Sequence, residues 1–250
     1  MSNYILETNK KQITFLDNRF YQTEEGDFVP SVTTILQAYP KDAHFFQWLK
    51  QVGDNADEIR DEAGRRGSIV HGLTEFYDAG EEVNLLDNSG NISFKLLEWA
   101  MFERYVEFRS NHQLDIIHSE FNVISKSYGF AGTIDRIIQI DGVNILLDIK
   151  TSNAVHDHYW LQLAAYERLV NEYYHSAGVI DKVAILHLNA KTRSYGKNGA
   201  IQGPGWQLII RDDADRANDW ELFKSTHKLW LAQNSNTLPK NNQFKISHKL

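Results

Sequence analysis

Residues 130–150 read Phe-Ala-Gly-Thr-Ile-Asp-Arg-Ile-Ile-Gln-Ile-Asp-Gly-Val-Asn-Ile-Leu-Leu-Asp-Ile-Lys. Two β-branched runs, Phe130–Ile140 and Asn144–Lys150, flank Asp141-Gly142, a strong tight-hairpin signal. Side chains alternate along a strand, so Asp148 and Lys150 leave from one face while Leu147 and Ile149 leave from the other. A carboxylate and an amine thus stand side by side at a strand end, although such a pair alone is more often a solvated strand end than a site. Asp135, in the otherwise apolar partner strand, brings a second acid to the hairpin. Neighbouring carboxylates raise each other's proton affinity unless a cation lies between them. For oxygen ligands the natural neutraliser is magnesium or manganese. The alternative is a surface Asp135 paired with Arg136 or Lys150.

Working outward, Ile116–Ile124 is a third strand, separated from the hairpin by Ser127-Tyr128-Gly129. A helix over 159–174 follows the Asp–Lys strand and ends near Gly178. Gln162 and Tyr166 are four apart and share one of its faces. A strand at Val183–Leu188, a glycine-rich loop over Lys191–Gly205 and a strand at Trp206–Ile210 come next. The last helix carries Trp220, Phe223 and Trp230 at core-face spacing, and a polar tail starts at Asn234. Toward the N-terminus, Phe94, Leu97, Met101, Tyr105 and Phe108 mark a helix, and 54–77 forms one long or broken helix that carries His71. A short helix after Asp42 holds Phe45, Phe46 and Trp48. Ser31 caps another that Pro40 stops. The chain opens on a hairpin turning at Asp17–Asn18.

The 250 residues contain no cysteine, which excludes disulfides, thiolate zinc sites, iron–sulfur clusters and cysteine nucleophiles. Any metal must sit on oxygen or imidazole. The formal charge of -7 argues against DNA binding by bulk positive charge, yet a carboxylate site is acidic until a cation fills it. No apolar run approaches the about 18 residues of a membrane span, and Met1-Ser2-Asn3-Tyr4 opens no signal-like segment, so a cytoplasmic protein is expected. His156-Asp157-His158 lacks the further ligands of a zinc site and is read as a loop near the site's rim. No phosphate-loop, Gly-x-Ser-x-Gly or His-Glu-x-x-His motif is present.

Taken in order, Arg66-Gly67-Ser68-Ile69-Val70-His71, Glu120, Gly132-Thr133-Ile134-Asp135, Asp148-Ile149-Lys150-Thr151-Ser152 and Gln162-Leu163-Ala164-Ala165-Tyr166 resemble the motif series of the PD-(D/E)XK nucleases, in particular the RecB-like exonuclease branch. Pro30–Leu36 further resembles the N-terminal motif of the mitochondrial genome maintenance exonucleases and their phage relatives, while 191–250 matches only loosely.

The resemblance implies an α/β fold with a restriction-endonuclease-like core, a central mixed sheet flanked by helices. A single domain would span 1–250, with a helical N-terminal part to 110, the catalytic core over 111–233 and a tail beyond. It implies that His71, Asp135, Asp148 and the Ile149 carbonyl bind magnesium or manganese, that Lys150 orients or activates the attacking water, and that Glu120 belongs to the same catalytic cluster. Gln162, Tyr166, Ser31, Thr33 and Arg66 would support the site or contact DNA. The expected activity is a metal-dependent exonuclease on single-stranded DNA with a free end, in repair, recombination or replication, in a bacterial or phage setting and without an iron–sulfur cluster. An endonuclease on branched or duplex DNA and a non-cleaving end-binding module are the alternatives. The helices before the first core strand would form an arch, with Phe45, Phe46 and Trp48 stacking on bases and Arg60, Arg65 and Arg66 tracking phosphates. The same aromatic residues would otherwise cover the sheet.

Overall fold

Three short antiparallel strands, β1 (Gln12–Phe15), β2 (Asn18–Gln22) and β3 (Phe28–Pro30), begin the described part of the chain. The structure is a computed structural model describing residues 12–174, 179–189, 205–234 and 237–240. The first turn is Leu16–Asp17, at φ of 49° and 59°, one residue earlier than its sequence signal. Asn18 instead pairs with Phe15 and donates its side-chain amide to the Leu16 carbonyl at 3.0 Å. Strand β3 lies where no strand was expected.

Ser31 caps the following turn, its Oγ accepting the Thr34 N–H at 3.0 Å. The helix it starts, α1 (Val32–Ile35), is one turn long and tightens into a 3-10 turn over Leu36–Ala38. Asp42 caps α2 (Ala43–Val52) by accepting the Phe45 N–H at 2.8 Å. None of the ten residues of α2 is buried, so its aromatic face does not cover the sheet. The helix α3 (Ala56–Asp78) runs unbroken past Gly64 and Gly67 and is followed by α4 (Leu96–Asn111).

The core sheet consists of β4 (Leu114–Ser125), β5 (Phe130–Ile140), β6 (Val143–Lys150), β7 (Lys182–His187) and β8 (Gln207–Ile210), side by side in that order. Neighbours are antiparallel except β6 and β7, and α5 (Asp157–Tyr173) makes the crossover that a parallel pair requires. The last helix is α6 (Asp213–Asn234). Alternation along β6 divides the core in two. Ile145, Leu147 and Ile149 pack with Val70, Tyr105 and Phe108 of α3 and α4, while Leu146 packs with Leu161, Leu169 and Phe223 of α5 and α6. Each fully buried side chain of this size contributes about 1.5–3 kcal/mol by area. The result is the expected α/β architecture, a five-stranded mixed sheet flanked by helices, in keeping with a restriction-endonuclease-like core. Among the described residues no helix is long and apolar enough to cross a membrane. The turn near Gly178, the loop over 191–204 and the end of the tail lie outside the described residues.

Arg136 is fully buried and faces α3 and α4. Its Nε lies 2.9 Å from Asp78 Oδ2, its Nη2 donates to Thr74 Oγ1 at 3.1 Å, and Tyr105 Oη donates to the same Asp78 oxygen at 2.6 Å. The guanidinium donates to the Asp135 carbonyl at 2.7 Å, and its Nη1 lies 3.9 Å from Glu120 Oε1.

Candidate active site

The β5–β6 ladder ends at Arg136↔Leu147. One step further the same register sets Asp135 opposite Asp148, and there the backbone pairing gives way. The Ile149 N–H donates to Asp135 Oδ2 at 2.9 Å. On the other side, the pairs Ser119↔Arg136 and Phe121↔Ile134 bracket Glu120, which falls opposite Asp135. Glu120 has φ of 44°, left-handed backbone that costs a non-glycine residue on the order of 1–2 kcal/mol. Three carboxylate residues therefore stand in register across three adjacent strands where the sheet is locally opened.

His71 reaches this row from α3. Its Nε2 donates to the Ile149 carbonyl at 3.0 Å, and its Nδ1 lies 3.6 Å from Glu120 Oε1 and 3.7 Å from Asp135 Oδ2. Burial works against a charged ring, but the carboxylates of Asp135 and Glu120 outweigh it and lift His71 to about 9. Glu75, one turn along α3, lines the same cleft, and burial followed by the charge of Glu120 raises its proton affinity. Its spacing of four from His71 is a signal that could have singled it out.

Asp148 and Lys150 face α5, as alternation along the strand requires. Lys150 Nζ is 2.7 Å from Asp148 Oδ2 and donates to Gln162 Oε1 at 3.1 Å. Gln162 Nε2 is shared between Asp148 Oδ1 at 3.4 Å and Tyr166 Oη at 3.0 Å. Burial raises Asp148, Lys150 pulls it down and Asp135 adds to the rise, leaving it above the usual carboxylate range. Burial also disfavours the Lys150 ammonium, but Asp148 and Asp135 overcome it and hold the amine above its ordinary value. Lys150 is thus a half-buried cation fixed from three sides, the third being the Tyr159 ring, whose centroid is 4.5 Å from Nζ.

These groups open into one cleft of about 490 Å³, which Thr33 also lines. Ser31 is buried beside it and uses its hydroxyl on Thr33 and Thr34, a supporting role. Arg66 lines a neighbouring pocket instead. Arg60, largely exposed, pairs with Asp57 at 3.1 Å, and Arg65 pairs with Glu62 at 2.8 Å and with Glu98. His156, Asp157 and His158 begin α5 rather than forming a loop. Arg19, an exposed cation on β2, and Asn122 and Thr133, on β4 and β5, also line the cleft. Asn122 and Thr133 pair in register across β4 and β5, whereas Arg19 reaches the cleft through the packing of the small sheet against the large one.

A Cβ on Gly132 would sit 2.3 Å from Tyr166 Cε1. Gly132→Ala is therefore expected to push the Tyr166 ring aside and disturb the chain from Tyr166 through Gln162 to Lys150. Overpacking of this kind costs about 1–3 kcal/mol. The expected result is a melting temperature lower by about 2–10 °C together with reduced turnover. An unchanged melting temperature and rate would mean that the ring yields freely.

His71, Glu120 and Asp135 each offer a ligand atom within 4.8 Å of the others. Asp148 Oδ2 is buried without a well-formed hydrogen bond, Lys150 meeting it as an ion pair only. Two carboxylates and an imidazole suit a divalent cation such as magnesium or manganese, with manganese the more tolerant of nitrogen and the Lys150-paired Asp148 alongside. His71 already engages the Ile149 carbonyl assigned to the metal by resemblance.

No family model matches the chain, and no curated protein matches it significantly. Among solved structures it is similar to that of a presumed exonuclease from Eubacterium rectale, with 13% identity and a TM-score of 0.40 over 70% of this chain and 68% of the other. It is also similar to an alkaline exonuclease from Laribacter hongkongensis, with 10% identity and a TM-score of 0.36 over 82% of this chain and 89% of that one. Likeness at this level says nothing of activity, which rests on the residues of this chain.

Proposed function

We propose that the chain is one nuclease domain that hydrolyses DNA phosphodiester bonds with magnesium or manganese, acting on single strands from a free end in repair, recombination or replication. The observation that carries the reading is the row Glu120, Asp135 and Asp148 across three strands, with His71 on one side and the Lys150 ammonium on the other. A bound divalent ion would neutralise phosphate oxygens and make a coordinated water more nucleophilic. His71, Glu120 and Asp135 would hold it, with Asp148 adjacent. Lys150, kept protonated and immobile by Asp148 and Gln162, would orient the incoming water and offset charge growing on the phosphate. Arg19 at the cleft supplies a cation for the substrate backbone. A binding module that had lost cleavage would have no use for a row of acids that repel one another.

The first test is metal linkage. Magnesium or manganese at millimolar levels is expected to raise the melting temperature, because a ligand that binds only the folded state stabilises it by mass action. Asp135→Asn is expected to weaken that shift at least severalfold. Absence of any metal effect on melting and on cleavage would remove the metal site and the reading with it. The second test compares a linear single-stranded oligonucleotide with a covalently closed circle of the same sequence. Cutting of the linear form alone is expected. Efficient cutting of the circle would make the protein an endonuclease while leaving the metal site intact.

A further inference from the structure

Beside the catalytic cleft lies a second pocket of about 550 Å³, lined on one side by α2 and on the other by the start of α5. Its walls carry Phe45, Trp48, His156, His158 and Tyr159, with Arg66 of α3 at the edge. We propose that this pocket is a subsite for one unpaired nucleotide of the DNA strand, next to the bond that is cut. The inference deepens the proposed function and rests on it for the identity of the strand.

Three observations point there. The first is continuity. Tyr159 lines the second pocket, and its ring lies 4.5 Å from Lys150 Nζ, which lines the first, so one residue separates the two. The second is the form of the walls. His156 and His158 stack at 5.5 Å with 14° between their planes, Tyr159 meets His158 edge-on at 4.6 Å, and across the pocket Phe45 and Trp48 lie 5.8 Å apart. Burial above all, then Lys41 and His156, pushes His158 down to about 4, so it presents a neutral ring. Helix α2 nevertheless buries none of its residues, and Phe45 stays 37% exposed. A helix with these apolar residues contributes little to the core, whereas flat rings facing across a gap suit a base, because every base has a π-face.

The third is charge. Arg66 Nε is buried and has no hydrogen-bond partner among the described residues, and Lys41 Nζ lies 5.8 Å from the Phe45 ring centroid. Of the acids at the pocket, Asp42 is occupied in capping α2 and Asp157 lies in the first turn of α5, where the helix dipole favours it. Two cations beside an aromatic box match a phosphate attached to a base. The size also fits, since pockets of about 300–1,000 Å³ hold small ligands.

The test is the affinity of the whole protein for a short fluorescein-labelled oligothymidylate, read by anisotropy with calcium in place of magnesium. Phe45→Ala/Trp48→Ala is expected to weaken binding about tenfold or more, the loss that follows removal of stacking rings. Phe45→Ala alone, which removes a partly exposed ring and spares the fold, is expected to change affinity in the same direction. A single abasic position moved along the oligonucleotide should weaken binding to the wild type at one register and have no such effect on the double variant. Equal affinities for wild type and both variants, absence of a register-dependent abasic effect, or no binding by the wild type would each overturn the subsite. If the variants lose affinity while the wild type cuts no DNA in magnesium or manganese, the cleavage reading fails and the subsite stands.

Discussion

Lys150→Ala is expected to lower DNA cleavage by at least about a thousandfold while leaving divalent-metal binding and most of the affinity for single-stranded DNA. A positioned proton donor or charge stabiliser typically contributes about 10²–10⁴ in rate, and Lys150 is built to be the stronger kind. Its ammonium is held 2.7 Å from Asp148 Oδ2 and 3.1 Å from Gln162 Oε1, so no reorganisation is needed when charge develops nearby. The two acids that raise its proton affinity also keep it a cation at neutral pH, which makes it a donor and not a base. Because it is not among the metal-binding groups proposed above, its loss separates chemistry from binding. In the variant Asp148 loses its partner and is expected to take up a proton, which avoids a bare buried charge. The measurement is a single-turnover rate beside a metal titration by melting temperature. Cleavage near the wild-type rate would remove Lys150 from the mechanism, and loss of metal binding would place it in the ion's site.

Asp78→Ala is expected to destabilise the fold by about 3–5 kcal/mol, the usual result of leaving one partner of a buried ion pair unpaired. Arg136 is fully buried, and Asp78, the last residue of α3, is the carboxylate that faces its Nε at 2.9 Å. Asp78 also accepts from Tyr105 and lies 3.4 Å from Arg109 Nε, so α3, α4 and β5 meet at this one carboxylate. The pair anchors α3 seven residues beyond His71, and Arg136 directly follows Asp135. The variant is therefore expected to lose metal affinity as well as stability, although Asp78 touches neither metal nor DNA. Joint replacement by apolar residues, Arg136→Met with Asp78→Leu, is expected to recover much of the stability, because both desolvated charges are removed and neither is left without its partner. Chemical denaturation of both variants checks the expectation. A loss below about 1 kcal/mol for Asp78→Ala would mean that water reaches Arg136.

What could be read from residue order alone was whatever depends on near neighbours. The hairpin of β5 and β6 followed from β-branched runs about Asp141-Gly142, and strand alternation placed Asp148 and Lys150 on the face opposite Leu147 and Ile149. The caps at Ser31 and Asp42 and the core face of Phe223 and Trp230 were equally local. Asp135, Asp148 and Lys150 were legible from the hairpin itself, whereas His71 and Glu120 came from a resemblance of motifs, since no spacing rule links them to Asp135. Their meeting is a matter of register and docking. Glu120 enters the row only because β4 pairs with β5 in one register and bends to a positive φ at that point. His71 enters because α3 packs where the Ile149 carbonyl can accept its ring N–H. Arg136 pairs closely with Asp78 and reaches Glu120 only at 3.9 Å, and Arg65 found Glu62 and Glu98. The exposed aromatic face of α2 was the least legible of all, because the same Phe45, Phe46 and Trp48 pattern serves a buried or a solvent-facing helix. Hydrophobicity gives a residue a reason to be covered, and only the packing of the whole chain decides whether anything covers it.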